Sequence, residues 1–227
     1  MASRLYFLCF IWLIVSPRNT AHAQGSLGTW NILSVKYSLN DRWNFLAEGQ
    51  VRSLAFYSNF HYHEGKVVAS YTINSGLRAG IGFGKSDTYN EKGDFQLPKN
   101  NSEFRLWPQI ILSHKQGKIG FEHRYRAELR FAPDNFRFRF RYRFGIHYSF
   151  FSQKKERDSI KVGLSNELFF SPYEPYFERN RLLFSVDYPF NQTITLHAGY
   201  LHQFDYKIFD EIGRDFLQVG CFLSLGH

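Results

Sequence analysis

Residues 136 to 150 read Phe-Arg-Phe-Arg-Phe-Arg-Tyr-Arg-Phe-Gly-Ile-His-Tyr-Ser-Phe. Every even position from Phe136 to Phe150 is aromatic or Ile, and every odd position is Arg, Gly, His or Ser. Side chains alternate between faces only along a β-strand, so the stretch predicts one strand with a greasy face and a cationic face. It is long as well. A tilted strand that crosses a membrane needs about 9–11 residues, whereas soluble strands average about 5–6.

The same alternation recurs along the chain. Expected segments are Thr29–Tyr37, Arg42–Ser53, His61–Thr72, Leu77–Phe83, Glu103–Ser113 and Lys118–Phe131, then the opening stretch. Segments near Ile160–Phe170, Arg179–Tyr188, Thr193–Gln203 and Asp215–Leu225 follow. Tight turns are expected at Ser38–Asp41, Asn74–Gly76, Lys115–Gly117 and Pro189–Gln192, with longer loops at Lys85–Asn101 and Tyr206–Gly213. No stretch beyond the N-terminus repeats at the helical period. The expected fold is all-β: one domain, residues 24–227, forming a transmembrane antiparallel up-and-down β-barrel of 10–12 strands. The segments number eleven, although bacterial single-chain barrels have even counts.

The N-terminus sets the compartment. Arg4, an apolar run from Leu5 to Val15 and the small-residue pattern Ala21-His22-Ala23 predict a signal peptide over residues 1–23, cleaved before Gln24. The run is too short for a membrane helix of about 20 residues. Cys9 lies inside it without the small residues that precede a lipid-modified cysteine. Cleavage removes Arg4 and Arg18, leaving 26 basic against 20 acidic residues and lowering the formal charge from +8 to +6. That excess is spread along the chain, which disfavours a nucleic-acid partner. Cys221 is the one cysteine left, so no intrachain disulfide can form.

Alternation alone does not say which face points inward. Strand length favours the membrane, because a dozen residues tilted by about 40° cover an apolar band of about 25 Å. Bulk agrees: aromatic residues make up 19% of the chain, and a small lumen cannot hold that many rings. Gly80, Gly82, Gly145 and Gly163 fall on the polar faces instead. Loop asymmetry points the same way, short turns being periplasmic and long loops external. Gram-negative outer membrane is therefore the expected location. The lipid bilayer is the expected partner, lipopolysaccharide a candidate one, and the chain is expected to be a monomer.

With greasy faces toward lipid, the polar faces line the lumen. The expected lining is Glu48, Arg52, Glu103, Arg105, Glu122, Arg124, Arg126, Glu128, Arg130, Arg137, Arg139, Arg141, Arg143 and Glu167. Arginine and glutamate ladders can plug a narrow barrel, since the guanidinium fork binds carboxylates on two edges. The second reading is a narrow, porin-like passage or ligand cavity, since arginine rings favour anions. The plug is preferred. An enzyme is the third class, as a lipid-modifying hydrolase of phospholipase or lipid A deacylase type at the outer rim. His61 and His63 are expected on one face near that rim, and Asn180 near the outer end of its strand. No Ser, His and acid set assembles from spacing, because triads are recognised by geometry. His61-x-His63 also has the spacing of two metal ligands on a strand, and rim histidines at the headgroups are the plainer reading. No catalytic residue, metal site or cofactor is assigned, and the Gly80-x-Gly82-x-Gly84 run is read as lumen packing.

Several short motifs, in order, resemble one known bacterial family. They are Thr29-Trp30, Leu39-Asn40-Asp41-Arg42-Trp43 with Glu48 and Arg52, Phe104-Arg105-Leu106-Trp107, and His123-Arg124-Tyr125-Arg126-Ala127-Glu128. Phe138-Arg139-Phe140-Arg141-Tyr142, Asn166-Glu167 before Phe169-Phe170, and Asn180-Arg181-Leu182 complete the set. The chain resembles the outer-membrane barrels catalogued as domain of unknown function twenty-four-ninety. That resemblance implies an uncharacterised Gram-negative barrel and no reaction, ligand or catalytic residues. The chain departs from common barrels by ending Leu225-Gly226-His227, where assembly machinery usually reads a terminal aromatic.

Overall fold

The structure is a computed structural model that describes residues 26–91, 93–133, 135–150, 159–207 and 210–226. The expected signal peptide lies outside the described residues. Eleven strands follow one another: β1 Gly28–Ser38, β2 Trp43–Ala55, β3 Ser58–Asn74, β4 Leu77–Tyr89, β5 Lys99–Gln116 and β6 Ile119–Ala132. They continue as β7 Asn135–Phe150, β8 Ile160–Phe170, β9 Phe177–Pro189, β10 Ile194–Lys207 and β11 Asp210–Gly226. They range from 11 residues in β1 to 18 in β5. Each pairs with its sequence neighbour, and β11 closes the barrel on β1. Among the described residues no helix is long and apolar enough to cross a membrane, which says nothing of a span made of strands.

The odd count decides the closure. Consecutive strands are antiparallel, so the first and eleventh run the same way and the seam between them must be parallel. It runs in unbroken register from Gly28 opposite Phe216 to Ser38 opposite Gly226. The other ten pairings are antiparallel. Full closure leaves no unpaired edge.

The connections correct the expected loop asymmetry. Nearly half of residues 85–101 is ladder, because β4 continues to Tyr89 and β5 begins at Lys99, leaving 90–98 as the loop. The expected loop at Tyr206–Gly213 is likewise largely strand, with β10 reaching Lys207 and β11 starting at Asp210. Polar composition at a wet rim concealed these strands. Loop length therefore does not distinguish the two ends, since 39–42 and 190–193 follow odd strands and are longer than 56–57, which follows an even one.

On the outward face exposed tyrosines mark both ends, with Tyr57, Tyr173, Tyr176 and Tyr206 lying toward the end opposite the β1–β2 turn. Tyr37, Trp43, Tyr71, Tyr148 and Tyr188 are exposed or half-buried near the β1–β2 turn end. Rings with one apolar and one polar end favour a membrane–water interface. Between the ends the outward residues are apolar and exposed, as at Leu33, Val67, Ile81, Ile110, Leu164, Leu182 and Phe184. Toward the opposite end polar groups appear. Thr29 Oγ1 and Ser53 Oγ lie 2.6 Å apart, and Tyr200 donates to Asp215 Oδ1 at 2.6 Å. Across β4–β7 the greasy face is a chain of ring contacts, Phe83–Phe104–Phe131–Phe136–Phe138, the cross-strand pairing that stabilises sheets.

Candidate functional site: the charged lumen

Ordinary burial is inverted. Phe140 is 51% exposed outside, while Glu103 and Glu128 are each 1% exposed inside. Alternate residues of β6 and β7 carry the cations inward, and register brings Arg126 beside Arg141 and Glu128 beside Arg139. Like charges this close need acids between them.

Three carboxylates supply most of that compensation, each shared by several guanidiniums. Glu103 accepts from Arg105 Nη2 at 2.7 Å, from Arg130 Nη2 at 2.6 Å and from Arg137 Nη2 at 3.4 Å. Glu128 Oε1 accepts from Arg141 Nη1 at 2.6 Å and Arg126 Nη1 at 3.5 Å. Glu167 Oε1 accepts from Arg124 Nη2 at 2.7 Å and Arg141 Nη2 at 2.9 Å. Glu122 pairs with Arg143, and Glu48 with Lys66. Arg52 lies 3.8 Å from Glu64, and Arg139 pairs with Glu178. Eleven of the fourteen expected residues line the lumen cavity, and Glu103, Glu128 and Arg137 join them through ion pairs, Arg137 at the more exposed rim; Glu122–Arg143 and Arg139–Glu178 stand as separate pairs.

Aromatic planes complete the layer. The Phe169 ring has Arg139, Arg141, Arg179 and Arg181 between 4.5 and 5.7 Å of its centroid. Arg126 sits 4.8 Å from the Trp107 ring. Trp30 packs with Leu201 and Phe216 as a small apolar cluster inside the lumen. Gly82 makes room for Trp107, since a Cβ there would collide with the indole. Cation–π contact favours a guanidinium without consuming its N–H edge. Beside the layer remains a cavity of about 640 Å³, lined by charged residues and by Gly145, Gly163, Ser165 and Ser185.

Two bulges moved residues that parity assigned elsewhere. Between β2 and β3 the register shifts, Arg52 facing Tyr62 and Ser53 facing Phe60, so His61 is the extra residue. His61 lines the lumen cavity, whereas His63 reaches Tyr89 Oη at 3.1 Å outside. The expectation that both histidines share a face is therefore wrong, and with it their two-ligand spacing. The second bulge, between β8 and β9, leaves Glu178 unpaired in register and turned toward Arg139. Asn180 is outward and bonded to Asn166. Sequence reasoning also passed over Glu64, Lys66, Arg179, Arg181, Gln203 and Asp205. Their alternation with Val67, Leu182 and Tyr200 carried the signal, which was diluted by neutral residues on the same faces.

Outside, near the polar end, Asp87 accepts from Ser102 Oγ at 2.6 Å and Lys99 Nζ at 2.8 Å, and His63 Nε2 lies 3.5 Å from it. The acid stands between serine and histidine. A hydrolytic triad needs the histidine between serine and acid, so this cluster holds its charges without activating a nucleophile.

These features define a closed eleven-stranded barrel with an apolar exterior and an Arg/Glu/aromatic interior. Residues 27–210 match the family described as protein of unknown function (DUF2490), and the chain belongs to that family. No curated protein and no solved structure matches the chain.

Proposed function

We propose that the chain is an outer-membrane barrel whose lumen is braced by its charge network and forms a narrow anion-attracting path. The observation that carries this reading is the sharing of Glu103, Glu128 and Glu167 among more guanidiniums than they can neutralise. A neutral plug would pair its charges evenly. Here the pairing that a plug requires is present, a cationic surplus remains, and the 640 Å³ cavity runs beside it. Arginine-lined pores attract anions, and the dense layer of Trp107, Phe169 and Glu128 keeps the path narrow. The apolar outer band supports a bilayer as surroundings, and the expected signal peptide supports export.

Reversal potentials test it. Purified barrel in a planar bilayer under a salt gradient should give small conductances with an anion-selective reversal potential. A silent bilayer, or cation selectivity, would overturn the anion path.

A further inference from the structure

Two lumen arginines differ from the rest. Arg52 and Arg181 are each 8% exposed. Among the described residues neither hydrogen-bonds a carboxylate; Glu64 and Glu167 come only to 3.8 and 3.9 Å. Their acceptors are neutral amides. Arg52 Nη2 donates to Gln50 Oε1 at 3.0 Å, and Arg181 Nε donates to Gln203 Oε1 at 2.8 Å. Each glutamine turns its own NH₂ to an acid, Gln50 to Glu48 and Gln203 to Asp205. The nearest acid is thereby held at long ion-pair distance rather than hydrogen-bonded, and the positive charge is only partly offset.

Both guanidiniums rest on Trp30, at 3.4 and 4.9 Å from its ring. Stacking fixes their planes and leaves their edges available, and Arg52 Nε has no partner. His61, brought inward by the bulge, adds Nδ1 with no partner and is 6% exposed. All four residues line the lumen cavity. Unpaired buried charge is costly unless something compensates it, and a planar fork is matched by a carboxylate or phosphate.

We propose that Arg52, Arg181 and His61 form an oxyanion-binding site built around Trp30. Its ligand is a small organic or inorganic anion presenting a carboxylate or phosphate group. The site deepens the anion-path reading and rests on it: the path admits anions, and this site holds one class of them.

Calorimetric titration of the refolded full barrel in nonionic detergent tests the site, with inorganic phosphate and acetate as probes and chloride as the control. Saturable binding of phosphate or acetate, absent with chloride, is expected, and the tighter probe tells which group the site takes. Arg52→Gln and Arg181→Gln should each weaken it at least about tenfold. Gln203→Glu, which keeps the shape and supplies the missing carboxylate, should do the same should either arginine variant fail to fold. Lys85→Gln, an outward cation, should leave it unchanged. No saturation with either probe, or equal affinity in the variants, would overturn the proposal. Anion-selective conductance without saturable binding would remove the site and leave the path reading standing.

Discussion

Glu128 accepts from two guanidiniums, has nowhere to reach water, and keeps Oε2 without a partner. Glu128→Gln should therefore destabilise the barrel by about 3–5 kcal/mol, because it leaves Arg126 and Arg141 under-compensated in a closed space. Urea titration of the refolded protein measures this, and an unchanged midpoint would mean that water already screens those arginines. Gly82 illustrates a different constraint. Gly82→Leu would force Trp107 aside and should cost about 1–3 kcal/mol through overpacking, read in the same titration. The lining glutamates and arginines of β5–β8 were legible from parity alone. Their partners were not: which carboxylate meets Arg139 depends on Glu178, 39 residues away and placed by a bulge. The neutral amides under Arg52 and Arg181 carried no charge signal.

At the scale of the strand, β7 holds the clearest evidence of which face meets what. Phe138, Phe140 and Tyr142 point outward, while Arg139 and Arg141 are bound to acids inside. Phe140→Arg should destabilise the barrel by about 2–4 kcal/mol if that side chain meets lipid near the midplane. A neutral effect in lipid vesicles would contradict the lipid-facing assignment. Strand existence and facing were readable over most of the chain, since a period of two is strict. Strand ends were not. At the rims the ladder continues through Ser86–Tyr89 and Lys99–Ser102, where no apolar face is needed and alternation fades. The inserted residue at His61 leaves no mark in composition, yet it separates His61 from His63 across the barrel wall.

For the whole molecule, the count of eleven has a consequence that strand facing lacks. Gly28 stands at one end of the barrel and Gly226 at the other, joined along a parallel seam. An even-stranded barrel would bring both ends to one side. Segment counting had reached eleven; parity of known bacterial barrels argued against it, and the parallel pairing of β1 with β11 resolves the conflict. On the proposed outer-membrane reading the two ends lie on opposite sides, and we place the β1–β2 turn end, where β11 finishes, in the periplasm and the N-terminal end at the cell surface. The most direct measurement is protease access in intact cells to one epitope between Gly25 and Ser26 and another after His227. The account predicts that external protease removes the N-terminal epitope and spares the C-terminal one until the outer membrane is permeabilised. Loss of both together, or protection of both, would contradict an eleven-stranded barrel spanning the membrane.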